Sequence, residues 1–212
     1  MRVINLTNNK EIYSLAQKIS ESVFSDVNVT IGIVVSSIHN RISFPSNRFG
    51  HDSASAVTIP RDCWKQYLAL FLDTSEIKEQ LDKEWEYIIL FGREVMIKYE
   101  PELEDIITHE MQHIKQNYFE PIVSAKDRLL DIVLDLLGEK IQTPSESNAK
   151  AKEQGQESSI VSWVKETNDR FTQYKEKIQE VYKIIWNPEG STLIIRPEVA
   201  DLFEFYYKKT FI

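Results

Sequence analysis

Apolar residues recur at three- and four-residue steps over residues 8–25 (Ile12, Leu15, Ala16, Ile19, Val23), which predicts an amphipathic helix. The β-branched stretch 27–36 reads as a central strand. Residues 39–60 are rich in turn formers, among them Pro45, Gly50 and Pro60, with short strands expected at 42–44 and 56–59. Residues 61–84 suit one or two helices. Apolar segments at 87–91 and 94–98 flank Gly92-Arg93, a spacing that predicts a two-residue β-hairpin.

A helix follows the hairpin and is ended or kinked at Pro121. A second helix runs through Leu137, with Gly138 as its C-terminal cap. Residues 141–159 are polar and low in complexity, so a flexible polar linker or loop is expected there. Apolar positions from Val161 to Ile185 predict a long helix over 160–186. A turn at 187–190, a short strand at 192–195 and a last helix at 197–209 complete the chain. The elements predict an α+β fold with a small, mostly antiparallel sheet and a helical C-terminal half. Three parts are expected: a core over 1–140, the linker 141–159, and a helical part 160–212 that completes a cleft.

One segment speaks about chemistry. His109-Glu110-Met111-Gln112-His113 spells H-E-x-x-H. Two histidines four apart on a helix share a face, so both imidazoles can reach one ion. Glu110, offset by about 100° around the helix, can sit beside the ion and take a proton from its water. That pattern is the core of a zinc metallopeptidase site. The flanks support a helix. Pro101 suits a first turn, Glu102, Glu104 and Asp105 favour the positive end of the helix dipole, and Ile106, Ile107, Met111 and Ile114 surround the motif. The competing account is a pair of packed or solvated histidines.

The run Ile107-Thr-His-Glu-Met-Gln-His-Ile-Lys-Gln116 resembles the active-site helix of the zincin metallopeptidases, on the gluzincin side. It is similar to that of the membrane-bound antibiotic-sensor peptidases and of the soluble ImmA/IrrE-type peptidases. The resemblance covers about 15 of the 212 residues. It implies Zn2+ on His109 and His113, Glu110 as general base, and a short sheet packed on the active-site helix. It also implies a peptide or protein substrate that adds to the sheet edge as a further strand.

Catalytic zinc usually has three protein ligands and a water. His39 and His51 lie upstream, and Phe119 stands six residues after His113, so the third-histidine class does not fit. Cys63 lies in Arg61-Asp-Cys-Trp-Lys65, which departs from the deformylase cysteine motif, and it reads better as an ordinary thiol in an amphipathic helix. A later carboxylate remains. Glu198-Val-Ala-Asp201 is similar to the Glu-x-x-Ala-Asp motif of gluzincins, although its Glu–Asp interval is three where the membrane gluzincins have four. Glu198 therefore ranks first as third ligand, with Asp201 as an orienting group. Glu166, Asp131 and Asp135 are the other candidates, each with a bland account as part of a polar helix face. Tyr174, Tyr206 and Tyr207 are available to stabilise an oxyanion.

Composition narrows the partners. A net charge of −8 without a basic cluster argues against nucleic acid, since phosphate binding needs a cationic face. No stretch approaches 18 consecutive apolar residues and the N-terminus lacks a secretory apolar run, so no membrane insertion and a cytoplasmic location are expected. A single cysteine excludes an intrachain disulfide. The oligomeric state is not legible. The leading expectation is a zinc-dependent peptidase. The alternatives are a binding or regulatory module with weak or no catalysis, and a structural helical protein with a chance motif.

Overall fold

The computed structural model describes residues 1–6, 9–37, 40–44, 52–70, 82–156, 159–191 and 193–212. Strands β1 (Arg2–Asn5), β2 (Thr30–Val35), β5 (Ala56–Pro60) and β6 (Tyr87–Phe91) form one sheet in the order β1-β2-β6-β5. A separate two-stranded sheet pairs β3 (Ile42–Phe44) with β4 (Asp52–Ala54). Seven α-helices lie among the described residues: α1 (Lys10–Val23), α2 (Trp64–Leu70), α3 (Glu100–Phe119), α4 (Pro121–Leu137), α5 (Pro144–Glu153), α6 (Ile160–Trp186) and α7 (Pro197–Phe211). The fold is α+β, as the pattern predicts.

The sheet corrects one expectation. It is mixed and mostly parallel: β1 pairs parallel with β2 and β2 parallel with β6, and only β5 runs antiparallel, against β6. Helix α1 makes the crossover that a parallel β1–β2 pair requires. The unbroken apolar runs of β2 and β6 have the same origin, because both sheet faces are covered. Ile31, Ile33, Ile89 and Phe91 pack on one face with Ile12 and Ile19 of α1 and Ile107, Met111 and Ile114 of α3. Val34, Ile88 and Leu90 pack on the other face with Leu129 and Val133 of α4, Ile178 of α6 and Phe203 of α7.

The hairpin expected at 87–98 does not form. Gly92 has φ −71°, unlike a primed turn residue, and residues Arg93–Ile97 make a 3-10 turn that buries Val95 and leaves Met96 and Ile97 exposed. Gly92 is required for another reason: a Cβ there would stand 2.3 Å from the Asn40 carbonyl oxygen. Residues 193–195 form no strand, and residue 192 lies outside the described residues. So do His39, His51, the turn residues 45–51, and most of the second helix expected before residue 84. Cys63 is the last residue of a 3-10 turn, Arg61–Cys63, that runs directly into α2.

Caps are clear where the sequence supplies them. The Asn9 side chain accepts from Ile12 N at 3.0 Å to start α1, and Gly138, at φ 75°, closes α4. The segment expected as a linker contains α5, started by Pro144 in its first turn. No helix among the described residues is long and apolar enough to cross a membrane.

Phe203 is fully buried and joins α7 to the sheet-facing core. Phe203→Ala should destabilise by about 3–5 kcal/mol, as for large-to-small changes in a packed core. Chemical denaturation should shift as one transition, and a C-terminal half that melts separately would contradict a shared core.

Candidate metal site

Helix α3 presents a polar stripe at His109, Gln112, His113 and Gln116, the i, i+3, i+4, i+7 positions of one face. Gln112, His113 and Gln116 on it are buried. Buried polar groups need partners, and α5 supplies them. Gln112 Nε2 donates to Asn148 Oδ1 at 2.7 Å, and Gln116 Nε2 donates to the same oxygen at 3.1 Å and to the Ser145 carbonyl at 3.2 Å. Ala149, with no exposed surface, leaves room for the two helices to approach. The contact between them is therefore polar and tight.

A third helix fixes the position of α5. Its N-cap residue, Thr143, makes no side-chain capping bond. Asp127 of α4 substitutes: its Oδ1 accepts from Ser145 N at 3.2 Å, and its Oδ2 accepts from the Ser145 hydroxyl. The Thr167 hydroxyl of α6 donates to Asp127 Oδ1 at 3.2 Å. A buried carboxylate thus serves the amide that a local cap residue normally satisfies.

The result is a cluster. Glu146, in the first turn of α5, lies with Oε2 3.3 Å from His109 Nε2 and Oε1 3.2 Å from His113 Nε2. The two Nε2 atoms are 3.1 Å apart. His109, His113 and Glu146 each offer a ligand atom within 4.8 Å of the others, so the group can hold a metal ion. With metal–ligand bonds of about 2.0–2.1 Å, the edge of a tetrahedron is roughly 3.3 Å, close to these separations.

The outer contacts suit the same task. His109 Nδ1 lies 3.0 Å from Glu153 Oε2, and His113 Nδ1 lies 3.0 Å from Gln116 Oε1. Each Nδ1–H then donates to a carbonyl or carboxylate oxygen, which leaves each Nε2 lone pair facing Glu146. Glu110 lies beside this face, toward the sheet. Thr58 of β5 donates its hydroxyl to Glu110 Oε2 at 2.7 Å, and the Glu110 carboxyl is buried.

Charge in the cluster is concentrated. Burial, the largest influence on His109, opposes its protonation. The hydrogen bond to Glu146, the charges of Glu110 and Glu146, and the hydrogen bond to Glu153 together outweigh it, and the ring is pushed up to about 9. Burial likewise opposes charge on Glu146, but His113, His109 and Arg128 hold its carboxyl well below the usual carboxylate range.

The third ligand of this group, Glu146, is one that the sequence reading missed. Glu198 lies in the first turn of α7, and Glu166 is exposed on α6 and paired with Arg170 at 3.0 Å. Asp131 and Asp135 lie on α4. None of the four belongs to the His109–His113–Glu146 group. Two signals pointed to Glu146. One is the Glu-x-x-Ala spacing of Glu146-Ser-Asn-Ala149, and the other is the polar stripe of α3, which demands a polar partner.

Of the tyrosines, Tyr174 donates to Glu139, and Tyr207 stacks on Tyr182 with ring centroids 3.8 Å apart. Tyr206 alone of the three lines a pocket beside His113. Cys63 is buried 3.6 Å from the Tyr206 hydroxyl, and burial, its largest influence, pushes its thiol up to about 12. Comparison of the chain with known family models, curated proteins and solved structures gives no match.

Metal must displace the His109 proton, so zinc affinity measured by chelator competition should rise about tenfold per pH unit up to about pH 9. The same raised pKa gives the metal-free protein a stabilising contribution that is full below about pH 6.5 and lost as pH rises through 9. Asp127→Ala should cost about 1–2 kcal/mol as a lost cap and weaken zinc binding by about 10–100-fold. Unchanged affinity would show that α5 is positioned without it.

Proposed function

We propose that the protein is a zinc-dependent peptidase whose metal is held by His109, His113 and Glu146. The observation that carries this reading is the three-ligand group itself, two imidazoles from an H-E-x-x-H helix and one carboxylate from a later helix. Two histidines and a glutamate are a donor set of catalytic zinc, which keeps a fourth position open. When bound, zinc lowers the pKa of its water toward 7 and polarises a carbonyl oxygen.

The chain's own residues supply the rest. Glu110, one position along the helix from His109, accepts a proton from the attacking water and returns it to the leaving amine. Thr58 holds one Glu110 oxygen at 2.7 Å and so orients the other. Thr58 lies on β5, which among the described residues is an edge strand of the main sheet, next to β6. A substrate strand added at that edge would bring its peptide bonds past Glu110. Tyr206, in the pocket beside His113, is the tyrosine best located to meet the developing negative oxygen. The zincin-like likeness of the α3 segment agrees with this reading.

The test separates binding from catalysis. Glu146→Gln should abolish stoichiometric zinc in purified protein, while Glu198→Gln should retain it. Glu110→Gln should keep zinc and lower the rate of peptide cleavage, assayed on a quenched-fluorescence peptide library, by at least about 100-fold. Zinc binding with cleavage indifferent to Glu110→Gln would leave a metal-binding module in place of a peptidase. Absence of zinc from the wild-type protein would remove the metalloenzyme.

A further inference from the structure

The pocket beside His113 has walls that include Thr58, Pro60, Tyr67, His113, Arg128 and Tyr206. Arg128 is the cationic group among its lining residues, in a chain of net charge −8. Among the described residues its ion pair is with Glu146, at 4.0 Å from Nη1 to Oε1, too long for a hydrogen bond. No described residue accepts a hydrogen bond from it. The neighbouring Asp127 is committed to Ser145 and Thr167, and Asp131, one turn along α4, is exposed.

A guanidinium has five donors in a planar fork that matches a carboxylate. The Arg128 side chain is about a quarter exposed and lines the pocket, so its fork is open to an anionic partner that enters there. Glu146 is not that partner, since its oxygens face the two imidazoles at 3.2 and 3.3 Å. Two phenols stand with Arg128. The Tyr67 and Tyr206 hydroxyls are 3.3 Å apart, both are deeply buried, and burial raises the pKa of each, so both stay neutral. The pocket therefore sets a guanidinium and two hydroxyl groups next to the metal ligands.

We infer that this pocket binds a carboxylate of the substrate. The inference rests on the peptidase reading above and narrows its substrate class to peptides with a carboxylate near the cleaved bond. Two sources share the chemistry: an acidic side chain, or the free C-terminal carboxylate of a peptide trimmed from its end.

The experiment uses zinc-loaded full-length protein and three ligands that share a malonyl hydroxamate as zinc-binding group. One is coupled to alanine amide, one to alanine with a free carboxylate, and one to aspartate amide. Calorimetric affinities should favour at least one acid ligand over alanine amide by about tenfold or more. The preferred acid identifies the source as terminal or side-chain carboxylate. Arg128→Gln should lower the affinity of that ligand by at least about tenfold, and Arg128→Lys should recover part of it. Equal affinities for all three ligands in the wild-type protein overturn the carboxylate site while leaving the metal site standing, and need no variant that must fold. Failure of zinc or of every hydroxamate to bind overturns the peptidase reading, and the carboxylate site with it.

Discussion

The polar contact between α3 and α5 is the constraint on which the site depends. A helix as polar as α5 has little apolar surface to dock with, and its buried residues include Ser145 and Asn148. It is held by hydrogen bonds: Gln112 and Gln116 reach Asn148, and Asp127 takes the Ser145 amide and hydroxyl. Such bonds are directional, so they set the rotation of α5 as well as its position. That rotation points Glu146 at both imidazoles. The α4 helix turns back after Pro121 to deliver Asp127, so the break between α3 and α4 is part of the same construction.

The cluster has an electrostatic logic of its own. Two Nε2 atoms 3.1 Å apart cannot both present lone pairs to each other without a proton or a cation between them. In the metal-free protein a proton on His109 meets this need, with Glu146 and Glu153 as acceptors. A divalent cation would meet it better, because Glu153 and Gln116 already fix the tautomers in which both Nε2 atoms are ligands. Proton and metal thus compete for one geometry, and the arrangement is poised for either.

Much of the scaffold was legible in periodicity. The helix Ile160–Trp186, the Gly138 cap and the strand over residues 30–35 follow from apolar spacing and from glycine's freedom at positive φ. The parallel sheet was not legible, because a strand buried on both faces loses its alternation, as Tyr87–Phe91 does. The helix α5 was hidden for a related reason. Apolar spacing detects helices that dock through hydrocarbon, and α5 docks through amides, hydroxyls and a carboxylate. Its polar, low-complexity sequence therefore looked like a linker. The two histidines and Glu110 come from one five-residue string, whereas Glu146 lies 33 residues after His113, beyond the turn at Pro121.

X-ray absorption at the zinc edge of the metal-loaded protein tests the central claim most directly. The account predicts one zinc per chain, with two imidazole nitrogens at about 2.0–2.1 Å and the remaining positions filled by light oxygen donors. Substituting Glu146 should remove an oxygen donor or the metal altogether. A sulfur scatterer, a third imidazole, or a spectrum unchanged by loss of Glu146 would contradict it.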